Sequence, residues 1–210
     1  GSEMCIRDSL ILILTFLLLL SGCLTKPISI DYGDLATYSA DGHLQMIVEI
    51  PAGTNKKIEY NYETNTFPPD VKNGVARVID FLPYPGNYGF IPSTLMDQIR
   101  GGDGDALDIL LISEHTPSGT VIEVEPIGVI VLSDNGENDT KIIAIPVEES
   151  LRVFDVNSYG QLSENYAPIK EIIKLWFLNY KGEGTMKFER WGDQNSARAI
   201  IQKWTIDKPQ

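Results

Sequence analysis

The chain is poor in cysteine, histidine and positive charge. Its 210 residues hold 2 cysteines, 2 histidines and 17 basic residues against 29 acidic ones, a formal net charge of -12. Each shortage excludes something. Clustered lysine and arginine are what phosphate backbones require, so this chain is a poor candidate for binding nucleic acid. His43 and His115 stand alone, which argues against a histidine-rich transition-metal site. Long apolar runs are also scarce. Leu10 to Leu20 is broken only by Thr15, and about eleven residues cannot cross a hydrocarbon layer of about 30 Å as a helix. There is no internal repeat and no low-complexity tract, and the length suggests one domain with an appendage.

That apolar run fits the core of a secretory signal peptide, residues 1–22. It ends in Leu20-Ser21-Gly22-Cys23, which resembles a bacterial lipobox. On this reading Cys23 becomes the lipidated first residue, and residues 23–40 are a tether to a domain at 41–207. Residues 1–9 carry Glu3, Arg7 and Asp8 where a basic leader is expected, and are read as non-native. Cys5 leaves with the leader and Cys23 carries lipid, so no disulfide is expected.

The most informative segment is Asp103-Gly104-Asp105-Ala106-Leu107-Asp108, just before the apolar run Ile109 to Ile112. Three carboxylates this close raise the cost of ionising one another. A hard cation removes that cost, and oxygen-only donors suit Mg²⁺ better than zinc or copper. An EF-hand loop fails on spacing, because Asp108 stands where its glycine is required. An acidic turn in solvent is the plain alternative for any one such motif.

Apolar alternation predicts strands at Gln45–Ile50, Lys57–Tyr62, Val75–Phe81, Ile109–Ile112, Val121–Val124, Ile127–Leu132 and Lys141–Ile145. Short strands at this spacing suggest a barrel or sandwich. Ile169, Ile172, Ile173, Trp176 and Tyr180 mark one face of a helix opened near Pro168 and stopped by Gly182 and Gly184. A second helix starts at an Asp193 N-cap, with Ala197, Ile200, Ile201 and Trp204 on one stripe.

The acidic segment has company in chain order: Glu49, Lys57-Ile58-Glu59, Tyr84-Pro85-Gly86-Asn87-Tyr88-Gly89, Asp134, Asp139, Lys141 and Tyr180-Lys181. From about Ile47 to about Lys203 the chain resembles the family I soluble inorganic pyrophosphatases. The resemblance implies an α+β fold: a five-stranded OB-like barrel with additional strands and two C-terminal helices packed on it. It implies Mg²⁺-dependent hydrolysis of diphosphate by several ions, with Mn²⁺ or Zn²⁺ able to substitute. By resemblance Asp103, Asp105, Asp108, Asp134 and Asp139 hold metal, and Asp105 is the general base. Lys57, Arg77, Lys141 and Lys181 grip phosphate. Tyr84, Tyr88 and Tyr180 donate hydrogen bonds, and Glu49 and Glu59 line the cavity. Arg77 sits one residue closer to Tyr84 than in familiar bacterial members, with Lys72 as the fallback. Asn135 and Ala106 depart from the common Glu and Pro. The resemblance also implies a homo-oligomer, a hexamer. Lipidation at Cys23 is unusual for the family and implies a membrane-anchored enzyme outside the cytoplasm. Two other readings are a non-catalytic metal-binding lipoprotein that kept the fold, and a phosphatase for nucleotides or polyphosphate.

Overall fold

The computed structural model describes residues 30–206; the expected leader and Cys23 lie outside them. Among the described residues nine strands and three α-helices follow in order. They are β1 Leu44–Ile50, β2 Val71–Lys72, β3 Val75–Ala76, β4 Asn87–Phe90, β5 Asp108–Leu111, β6 Val121–Asp134, β7 Glu137–Asn138, β8 Lys141–Pro146, α1 Tyr159–Asn165, α2 Ala167–Asn179, β9 Met186–Asp193 and α3 Gln194–Trp204.

The sheet runs β1-β4-β5-β8-β6-β7, and β1 also pairs with β6. Five strands therefore close on themselves, which removes the sheet edges that an open array would expose. All pairs in the ring are antiparallel except β5 with β8. Strand β6 reaches all its neighbours because it is long and shifts register between Pro126 and Gly128. The sequence patterning split it in two at this point; the structure has a bulge there, not a turn.

Alternation sorts the side chains. Ile109 and Leu111 of β5, with Ile142 and Ala144 of β8, join one apolar cluster that includes Ala197, Ile201 and Trp204 of α3. Leu110, Ile143 and Ile145 join a second, with Ile173, Trp176 and Phe177 of α2. Both C-terminal helices are thus held by buried residues, but Ile172, expected on the α2 stripe, is exposed and Phe177 is buried instead. Asp193 caps α3, accepting a hydrogen bond from the Ser196 N–H.

Several expectations need correction. Lys57–Tyr62 is not a strand but a chain of isolated bridges, Lys56 to Val78, Ile58 to Pro69 and Asn61 to Thr66. Proline cannot donate to a ladder, so the pairing stays broken at Pro69. Of Val75–Phe81 only Val75–Ala76 is strand, in an exposed hairpin. Strand β9 and the short helix α1 carry no clear period and were not expected. The compact unit that holds the barrel begins at Asp31. Within the expected tether, the Tyr32 hydroxyl donates to the Gly119 carbonyl at 2.8 Å and the Thr37 hydroxyl to that of Pro92 at 2.9 Å. Among the described residues no helix is long and apolar enough to cross a membrane.

Gly89 shows how closely β4 lies against β1. A Cβ there would sit 1.9 Å from the Ile47 carbonyl oxygen and 2.9 Å from the Glu49 nitrogen. Both are backbone atoms and cannot rotate away. Gly89→Ala is expected to lower unfolding free energy by about 3 kcal/mol or more, read from urea denaturation.

Candidate active site

A cavity of about 270 Å³ opens at one end of the barrel. The parallel register of β5 and β8 builds its floor by placing Asp108 directly opposite Lys141. Asp139 lies two residues before Lys141 and so shares its face. The Lys141 ammonium, 2 % exposed, bridges Asp108 and Asp139, the latter at 2.5 Å. Burial alone would strip its proton, but the two carboxylates prevail and hold it charged, well above the usual lysine range. Burial likewise works against ionised Asp139, yet Lys141 and Lys181 hold its pKa below the usual carboxylate range.

Asp103 and Asp105 lie on the loop before β5, and the Asp103 carboxylate accepts from the Asp105 N–H at 3.0 Å. Partial burial pushes both carboxyls up; the negative charges of Asp108 and Glu59 add to this at Asp105. Neither has an ion-pair partner among the described residues. One Asp139 oxygen, Oδ2, is buried without a hydrogen-bond partner.

Glu49, from β1, accepts from the Tyr60 N–H at 2.7 Å. Burial, helped by Asp108 and Glu59, pushes it up to about 8. The folded state thus keeps a proton between about pH 4.5 and 8 that the unfolded chain has released. Stability from this group is full below pH 4.5 and is lost as pH rises through 8. In EDTA, melting temperature should fall from pH 5 to pH 8.5, and Glu49→Gln should flatten that fall. One proton changes stability by at most about 1.4 kcal/mol per pH unit; parallel curves would refute the assignment.

The tyrosines are set by packing. The Tyr180 ring stacks on Trp176 at 4.6 Å, and Tyr84 packs on the same indole at 4.5 Å. Trp176 is fixed in turn by donating from Nε1 to the Leu82 carbonyl at 2.8 Å. Tyr88 pairs across β4 and β5 with Leu110. Burial pushes all three phenols up, so they remain hydroxyl donors.

The cavity is lined by Glu49, Lys57, Glu59, Tyr84, Tyr88, Asp103, Asp105, Asp108, Asp139, Lys141, Tyr180 and Lys181. Two expected residues do not line it. Asp134, at the end of β6, is ion-paired with Lys181 at 2.6 Å at its rim. Arg77 is held behind Lys57 by Asp70 at 2.5 Å. Asp70 was not expected from the sequence. Its signal was Asn73-Gly74, a hairpin turn with positive φ at both residues, which sets Asp70 across from Arg77.

Among the described residues no three carboxylates, imidazoles or thiolates gather into a ready-made metal cage. Lys141 occupies the space between two of the acids. Divalent magnesium nevertheless fits this donor set. It takes few protein carboxylates and completes its shell with waters and substrate phosphates. Among the described residues Asp103 and Asp105 are hard donors without an ion pair, and Asp139 Oδ2 is a further oxygen with no hydrogen-bond partner.

Residues 46–207 match the family model for inorganic pyrophosphatase. The chain belongs to the inorganic pyrophosphatase family. It is 37% identical over 166 residues to the inorganic pyrophosphatase of Neisseria meningitidis serogroup B, covering 77% of this chain and 86% of that one. The crystal structure of inorganic pyrophosphatase from Thermus thermophilus superposes with a TM-score of 0.68 at 28% identity, over 83% of this chain and 98% of the other. That of inorganic pyrophosphatase from Schistosoma japonicum gives 0.72 at 31% identity, over 81% and 68%. These likenesses bear out the α+β fold and the enzyme class that the motif order implied. This pyrophosphatase shares its barrel and C-terminal helices with them.

Proposed function

We propose that this chain hydrolyses diphosphate to two phosphates, with Mg²⁺ held by Asp103, Asp105, Asp108, Asp139 and, at the rim, Asp134. One observation carries this reading: one cavity is lined by Asp103 and Asp105, neither of them ion-paired among the described residues, together with Lys57, Lys141 and Lys181. When bound, the metal supplies positive charge to the phosphate oxygens and makes an attacking water more acidic. The protein's own groups do the rest. Lys57, Lys181 and Arg77 counter the charge of the anion. Tyr84, Tyr88 and Tyr180, kept protonated by burial, donate to its oxygens. Asp105, with a raised pKa and no cation partner, takes the proton from water as its oxygen bonds to phosphorus and the bridging P–O bond breaks. Lys141 keeps Asp108 and Asp139 apart and aimed inward.

Phosphate release from diphosphate, ATP and tripolyphosphate, each with Mg²⁺, tests the substrate. Release from diphosphate at least a hundredfold faster than from the others supports the reading; preference for ATP would overturn it. Localisation belongs to the same proposal: lipid on Cys23 anchors the enzyme outside the cytoplasmic membrane. Its support is the Leu20-Ser21-Gly22-Cys23 pattern alone. Cys23→Ala should move the protein from the membrane fraction to the soluble one. Assembly as a homohexamer is likewise proposed from family resemblance, to be read by sedimentation.

A further inference from the structure

We propose that Asp70 is a positioning residue that holds two of the substrate-gripping cations, Lys57 and Arg77, at a fixed spacing; this rests on the pyrophosphatase reading above. Its Oδ2 lies 2.5 Å from Arg77 Nη1 and 3.8 Å from Lys57 Nζ. The carboxylate is 17% exposed, whereas Arg77 keeps 37% of its side chain in solvent. The backbone locks the same three residues together. Asp70 N donates to the Lys57 carbonyl at 2.9 Å, Lys57 N to that of Arg77 at 3.0 Å, and Arg77 N to that of Asp70 at 2.8 Å.

The hairpin between Asp70 and Arg77 explains nothing by itself. All four of its strand residues, Val71, Lys72, Val75 and Ala76, are exposed. An isolated two-stranded hairpin is marginal in water, so its base must hold it. What that base delivers is Arg77, set beside Lys57 just outside the cavity lining. Lysine and arginine lose much rotamer freedom when they bind an anion, and two adjacent cations repel. One shared carboxylate removes both penalties before the substrate arrives, which is preorganisation. Lys57 also bonds Glu59, so its ammonium is fixed from two sides. Asp70 itself stands outside the cavity lining and acts through its partners.

The test compares Asp70→Asn and Asp70→Glu with the parent enzyme. Steady-state kinetics on diphosphate and calorimetric binding of imidodiphosphate are both run with Mg²⁺. For Asp70→Asn we expect KM and the imidodiphosphate Kd to rise about tenfold, with kcat within threefold and a melting temperature near the parent's. Asp70→Glu keeps the charge and should recover most of the loss. Folded Asp70→Asn with KM and Kd within twofold of the parent overturns the proposal, as does a lowered melting temperature with both constants unchanged. Should Asp70→Asn not fold, Asp70→Ser decides: a KM and imidodiphosphate Kd raised about tenfold support the role, and values within twofold of the parent overturn it. A parent that hydrolyses nothing defeats the pyrophosphatase reading, and the imidodiphosphate Kd ratio then judges Asp70 alone.

Discussion

Asp105→Asn is expected to lower phosphate release from diphosphate by about a thousandfold, within the range that positioned proton transfer contributes. The substitution is nearly isosteric, and Asp105 is exposed at the cavity mouth, so folding should not change. The physical case is local. Asp105 has no ion-pair partner among the described residues, and partial burial with the charges of Asp108 and Glu59 raises its proton affinity. An amide accepts no proton from water and is a weaker cation ligand. Circular dichroism and melting should match the parent while turnover disappears. Full activity in Asp105→Asn would remove it from the base role, with Asp103, its neighbour on the same loop, next to be tested.

Lys141→Met should have the largest effect on stability. It leaves Asp108 and Asp139 facing each other, with Asp139 only 8% exposed. Removing one partner of a buried ion pair costs about 3–5 kcal/mol, measured here by urea denaturation in EDTA. Replacing Asp139 by Asn in the same chain removes one of the stranded charges and should restore roughly half of that loss. Added Mg²⁺ should stabilise Lys141→Met more than the parent, because a cation can take over the vacated charge. Activity should be lost in both variants. A cost under about 1 kcal/mol for Lys141→Met would mean that the bridge carries little stability.

Much of this was visible in the sequence for physical reasons. Helices α2 and α3 announced themselves because one buried stripe at helical spacing survives any tertiary context. The turn at Asn135-Gly136 is legible because Asn and Gly are the residues that best tolerate the positive φ both adopt. Its counterpart, Asn73-Gly74, was passed over because exposed Val71, Val75 and Ala76 do not alternate with polar residues. With that turn went Asp70. The pairing of Asp108 with Lys141 could not be read from spacing at all, because it depends on the parallel register of strands 33 residues apart. The expected strands Val121–Val124 and Ile127–Leu132 are one, because a closed barrel needs a long strand bent at a bulge. The candidate site was gathered by chain order, yet chain order cannot say that Arg77 and Asp134 stand at the margins.

The most direct measurement is phosphate release from diphosphate by residues 24–210, titrated with Mg²⁺ and then with EDTA. Release that rises with Mg²⁺, yields two phosphates per diphosphate and stops on chelation is the predicted result. A folded sample that binds Mg²⁺ but releases no phosphate with Mg²⁺, Mn²⁺ or Zn²⁺ would contradict it and leave a metal-binding protein on a pyrophosphatase fold.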